Sequence, residues 1–128
     1  IYFQLKVGSK GVKLIEFTPR YDGCHMWKLV KEATELDLLK CSLEWLSEKK
    51  SKTLEDYKFS LNDGVFVTEF ISDKPATKVD RNSYRLPEDY RQLQWYYEDG
   101  QEVKSVTGYL EKVGYTITRY PENYIVPK

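Results

Sequence analysis

The sequence predicts an α+β fold: an antiparallel sheet of four or five strands, with helices mainly on one face. Three observations predict it. Two stretches alternate apolar and polar residues around Gly-containing turns, the signature of β-hairpins. Between them, apolar residues recur at helical spacing. The two hairpins also share residues, which points to a repeated β-β-α unit.

The first strand is read from Ile1, Phe3, Leu5 and Val7, which alternate with Gln4 and Lys6. Gly8-Ser9-Lys10-Gly11 turns the chain, and Val12 to Phe17 returns. Pro19, Asp22 and Gly23 mark a loop. From Met26 the period becomes helical: Trp27, Val30, Thr34, Leu38, Cys41 and Trp45 form one stripe, widened by Leu29, Ala33, Leu36, Leu39, Leu43 and Leu46. So broad an apolar face predicts a helix lying flat on a sheet. Thr34 with Asp37 reads as a restart cap, which places a kink there. The polar run from Ser47 to Lys52 ends the helix.

Tyr57, Phe59 and Leu61 alternate before Asp63-Gly64, the strongest short hairpin signal, and Val65 to Ile71 returns. This returning arm is apolar on both sides, which predicts a central strand. Asp73 to Ser83 is a polar connection. Pro87 at a first helical position, with Glu88 and Asp89 in the first turn, then predicts a helix to Gly100. Its core side would be Leu86, Tyr90, Leu93 and Tyr97. A strand competes, because Leu93, Trp95 and Tyr97 also alternate. Val103, Val106, Leu110 and Val113 predict a further helix over 101–113, weakened by Gly108. Tyr115 to Tyr120 is read as a last strand added at an edge. Tyr124-Ile125-Val126 is an apolar tail that needs a docking place.

Gly11 to Phe17 and Gly64 to Phe70 share Gly, Val, Glu and Phe, and Phe3-Gln4-Leu5 parallels Phe59-Ser60-Leu61. The expectation is one domain over 1–128, with pseudo-repeat halves at about 1–52 and 53–114 and a C-terminal strand and tail over 115–128. A chain of 128 residues fits a single domain. With 41% hydrophobic and 15% aromatic residues it has the means to fold.

Basic and acidic residues balance to a net charge of zero, which removes the excess that counterion-driven duplex binding uses. Two cysteines, Cys24 and Cys41, supply neither a zinc ribbon nor a disulfide framework, although one bridge stays open. No apolar run approaches the ~20 residues that cross a bilayer. The opening residues lack the pattern of a signal peptide. The expected setting is intracellular, cytoplasmic or nuclear, with no membrane partner.

His25 is the single histidine, so multi-histidine metal sites are excluded. Neither a phosphate cradle, nor a dinucleotide fingerprint, nor a nucleophile elbow is present. No catalytic residue, cofactor or metal ligand is therefore assigned. Glu16 and Glu69 occupy equivalent repeat positions, and Asp89, Asp99 and Glu102-Val103-Lys104 match a Mg²⁺-nuclease pattern. That pattern is unspecific, since acid-x-Lys recurs at Glu48 and Asp56.

Eight of eleven tyrosines and four of five arginines fall between Arg81 and Tyr124. Tyr, Trp and Arg dominate interface hot spots. Tyr84, Arg85, Arg91, Trp95 and Tyr96 are the candidate binding residues, with Arg91, Trp95 and Tyr84 expected to point outward. The leading expectation is a non-catalytic interaction domain (adaptor, inhibitor or immunity-type binder) holding a protein partner at 81–97. The alternative is nucleic-acid binding, by stacking of single strands or by a helix-turn-helix-like unit over 87–126. A Mg-dependent nuclease ranks third.

Overall fold

The computed structural model describes residues 2–18 and 23–125; the expectations for Ile1, Pro19, Asp22 and Val126 fall outside them. The order is β1 (Tyr2–Gly8), β2 (Gly11–Thr18), α1 (Met26–Thr34), α2 (Leu38–Glu48), α3 (Lys52–Glu55), β3 (Val65–Asp73), β4 (Tyr90–Trp95) and β5 (Glu111–Tyr120). The fold is α+β with two antiparallel sheets, β1-β2 and β3-β5-β4. Contacts divide the chain into two compact units, Ile1–Leu61 and Asn62–Lys128.

In the first unit, alternation forms the expected hairpin, and Gly11 takes φ 91 at the turn, where a side chain would be strained. Phe3 faces Phe17 with ring centroids 6.2 Å apart. Phe3, Leu5, Val7, Val12, Leu14 and Phe17 all remain more than half exposed. The predicted long helix breaks at the expected place. Glu35 ends α1 at φ 63, and Asp37 caps α2 by accepting from the Lys40 backbone N–H at 2.9 Å. The Lys31 ammonium, 2.6 Å from Asp37, is the first cause holding that carboxyl below its usual range. The helical stripe is less buried than its breadth predicts, since Leu43, Trp45 and Leu46 are more than half exposed.

Glu44 on α2 ties down α3. Its carboxylate accepts from the Thr53 backbone N–H at 3.0 Å, the Thr53 hydroxyl at 2.8 Å and the Ser51 hydroxyl at 2.8 Å. Those bonds, the Thr53 backbone first, lower its pKa. Residues 57–61 are not a strand, which corrects the second hairpin. Tyr57 instead donates its hydroxyl to the Thr34 carbonyl at 3.0 Å, anchoring the segment to the end of α1. Asp63-Gly64 is a true turn signal, with Gly64 at φ 105, but it opens β3 without a preceding strand. The four- or five-stranded sheet is therefore replaced by a two-stranded and a three-stranded one.

The second unit corrects three further expectations. β5, not β3, is the central strand. It is buried on both faces: Tyr115 and Ile117 alternate with Thr116 and Thr118, all at 2% exposure or less. Two threonines and a tyrosine disguise this burial in the sequence. Residues 90–95 form β4, so alternation prevails over helical spacing, as aromatic β-formers paired to a buried strand favour. Residues 101–110 are not helical. Val103 donates to the Thr77 carbonyl and Lys78 bridges Glu102, while Gly108 sits at φ 85. With no helix over 87–125 among the described residues, the helix-turn-helix arrangement is not formed.

The core gathers Val79, Val103 and Val113, with Ile71, Tyr84, Trp95 and Tyr97 packed against them. Val113 is the extra residue where the β3–β5 register shifts, Ile71 facing Gly114 and Ser72 facing Lys112. Beside it, Gly114 lets β4 approach: a Cβ there would lie 2.7 Å from the Gln94 carbonyl oxygen. Glu111, 5% exposed, holds the preceding loop. One oxygen accepts from the backbone N–H groups of Val106 and Thr107 at 2.6 Å and of Gly108 at 3.1 Å. These bonds, Val106 first, hold its pKa below the usual carboxylate range.

Gly114→Ala should cost roughly 1–3 kcal/mol, as overpacking does, read as a lower denaturant midpoint; an unchanged midpoint contradicts the close approach. The lowered pKa values of Asp37, Glu44 and Glu111 set the direction with acid. Their stabilisation is complete above the unfolded carboxylate value of about 4 and is lost as pH falls through the folded values. Melting temperature should fall in that window, and Glu111→Gln should show a smaller fall than the parent chain.

Candidate binding cleft

A cleft of about 790 Å³ opens in the second unit, with acids Asp63, Glu88, Asp89 and Glu122 set against Arg91 and Arg119. A neighbouring cleft of about 390 Å³ shares Glu88 and Tyr120 with it and adds Glu69, Arg85, Leu86 and Pro87. The two form one polar surface along the side of the sheet where β3 begins and β5 ends.

The strands place these residues. β4 and β5 pair Tyr90 with Thr118 and Gln92 with Ile117, leaving Arg91 as an unmatched bulge residue. Bulges re-aim side chains. Arg91 is exposed and makes no ion pair among the described residues. Opposite it, Val65 pairs with Tyr120 and Phe66 with Arg119. Arg119 Nε donates to the Asp63 carbonyl at 2.6 Å. Gly64 makes room for this, since its Cβ would meet the Tyr120 carbonyl oxygen at 2.6 Å.

Tyr120 carries the floor. Its ring stacks on Tyr124 at 3.8 Å and 7°, and its hydroxyl donates to Glu69 at 2.8 Å. Burial first, then the Glu69 carboxylate, pushes this phenol up to about 12. It remains protonated near neutrality and offers a ring and a satisfied hydroxyl, not a base. The stack also gives the apolar tail its docking place as far as Tyr124, whereas Ile125 is exposed.

Of the five sequence-predicted residues, Arg85 and Arg91 line these clefts. Tyr84 and Trp95 turn inward, which corrects their expected outward aim. Their rings lie 5.5 Å apart against the valine core, and Tyr84 donates to Asp73 at 2.7 Å. Strand geometry is the reason: it puts Trp95 opposite Gly114, beside Val113. Burial and then Asp73 push the Tyr84 phenol up to about 12. Tyr96 is 40% exposed, with its ring 6.0 Å from Tyr115. Tyr90, expected on the core side of a helix, Arg119, a phosphate-contacting position only in the helix-turn-helix alternative, and Tyr120 are not among the five, although all lie within the Tyr/Arg-rich stretch. Their convergence depends on strand pairing across more than fifty residues of sequence, as between Val65 and Tyr120.

Each acid of these patterns has a place of its own within its unit. Glu16 stands opposite Gln4 in the β1-β2 hairpin, Glu69 bonds Tyr120, Asp99 accepts from the Arg81 backbone, and Glu102 lies at the bridge to Lys78. Among the described residues no group of three His, Cys, Asp or Glu side chains is placed to hold a metal ion. Cys41 is buried, Cys24 half-buried, and they form no disulfide. No helix among the described residues is long and apolar enough to cross a membrane. The chain matches no protein-family model, and no curated protein or solved structure matches it either.

The raised phenols of Tyr84 and Tyr120 give a test in alkali. A folded pKa above the unfolded value contributes stability that is complete below about 10 and is lost as pH rises from there towards 12. Ultraviolet titration should show late-ionising phenols, one fewer in each of Tyr84→Phe and Tyr120→Phe. Ionisation of all phenols together near 10 contradicts both hydrogen bonds.

Proposed function

We propose that this chain is a non-catalytic protein-interaction module, an adaptor, inhibitor or immunity-type binder acting inside the cell. It holds a protein partner on the surface of Arg85, Tyr90, Arg91, Arg119 and Tyr120. The observation that carries this reading is the bulge at Arg91, an exposed arginine without an ion pair among the described residues, in a cleft that Tyr90 also lines. Arg and Tyr are the side chains whose truncation costs most at interfaces. The neighbouring acids shape the partner's chemistry: a basic side chain meets Glu88, Asp89 or Glu122, and an acidic one meets Arg91.

A second reading places single-stranded nucleic acid on the same surface. Tyr90, 41% exposed next to Arg91, favours it, since bases stack on tyrosine and arginine. Four carboxylates in the same cleft oppose phosphate, so the protein partner is preferred.

The test is affinity capture of partners with the parent chain, followed by Kd measurement for Arg91→Ala and Tyr90→Ala. Each substitution should weaken binding roughly tenfold, about 1.4 kcal/mol, while leaving the melting temperature in place. Unchanged affinity in both variants overturns the reading. A salt-sensitive gel shift with single-stranded probes, abolished by Tyr90→Ala, moves the assignment to nucleic acid.

A further inference from the structure

β3 has an open side. It pairs with β5 from Val65 to Asp73, and no strand lies along its other edge among the described residues. In an antiparallel strand, alternate backbone N–H and C=O groups point to that outer edge. Among the described residues none of these groups has a hydrogen-bond partner.

Edges of this kind are ordinarily blunted by short length, lysine, proline or a bulge. β4, at the other side of the sheet, has six residues and a bulge at Arg91. β3 runs for nine residues without lysine or proline, and its irregularity falls only at Ile71/Ser72. Its one charge before that point, Glu69, is bonded to Tyr120.

We propose that the edge is filled by the same strand of a second copy of this chain, antiparallel about a twofold axis at Thr68. The two three-stranded sheets then join into one of six strands. Three observations select this occupant. The row of unpaired peptide groups is complementary to an extended backbone and to little else.

The sequence of β3 is also self-complementary about Thr68. An axis there sets Phe66 opposite Phe70 twice, Val65 opposite Ile71, and Val67 opposite Glu69. Aromatic cross-strand pairs are favourable, whereas an axis one residue later sets Glu69 against Glu69, a like-charge clash.

The third observation is Thr68 itself. Its hydroxyl is buried and has no hydrogen-bond partner among the described residues. On the axis, the second Thr68 comes within roughly 5 Å between Cβ atoms, and a χ1 rotation of either side chain pairs the two hydroxyls.

The test is sedimentation of the purified chain over a concentration series, with hydrogen exchange at each end of the series. A monomer–dimer equilibrium is expected, with slower exchange on dimerisation confined to alternate β3 amides. Thr68→Lys and Thr68→Glu should each remain monomeric, and their equimolar mixture should restore a dimer by pairing opposite charges on the axis. That restoration separates edge pairing from simple damage to the fold. If neither variant folds, the exchange pattern of the parent chain decides. A parent chain that stays monomeric throughout overturns the proposal, whether the edge is open or takes another protein's strand. So does a dimer that protects residues elsewhere, or folded variants that dimerise like the parent.

Discussion

The second unit depends on the pairing of β5 along both of its edges. β3 and β4 do not pair with each other; each is held in register by β5. That double pairing buries Thr116 and Thr118 as thoroughly as Tyr115 and Ile117. It also fixes the clefts. Register with β3 brings Asp63 and Gly64 beside Arg119, and register with β4 leaves Arg91 unmatched at the opposite wall. A one-residue slip of β5 would turn every side chain to the other face. Gly114 guards against this on the β4 side, because it alone admits the Gln94 carbonyl at that approach.

Where the backbone leaves regular structure, carboxylates replace the missing ladder. Glu111 gathers three successive backbone donors and so fixes a loop whose tip exposes Val106 and Tyr109. Glu44 does the same between α2 and α3, and Asp37 at the break between α1 and α2. Each bond favours the ionised carboxyl, which is why all three pKa values move down. A common electrostatic device thus holds the turns of both units.

Elements whose signals were local were legible in the sequence. The β1-β2 hairpin, the break at Asp37, the polar stop after α2 and the strand through Tyr115 to Tyr120 follow from adjacent residues. Elements decided by a distant partner are not legible in this way. Leu86, Tyr90, Leu93 and Tyr97 satisfy helical spacing, yet β5 offers its edge to 90–95 and the strand forms. Phe59 and Leu61 alternate as well as Phe3 and Leu5, but Tyr57 is held by Thr34 and no ladder starts. The candidate site divided in the same way. Arg85 and Arg91 were visible as residue types in an enriched stretch, whereas Arg119 and Tyr120 joined them only through long-range register. Helical geometry aims Trp95 outward; as a strand residue opposite Gly114 it belongs to the core.

The same register explains why surface function concentrates on few positions. β5 pairs along both edges and buries Val113 to Thr118, so its accessible side chains fall near its ends, at Lys112 and at Arg119 with half-buried Tyr120. β4 presents one side chain through a bulge that simultaneously blunts its outer edge. β3 differs: Glu69 bonds Tyr120 and Phe70 meets the Tyr115 ring, while its outer peptide groups have no partner among the described residues. On the two proposals above, side-chain recognition falls to the β4–β5 end of the unit and backbone pairing to β3. Because the two kinds of recognition draw on different atoms, occupation of one does not consume the groups that serve the other.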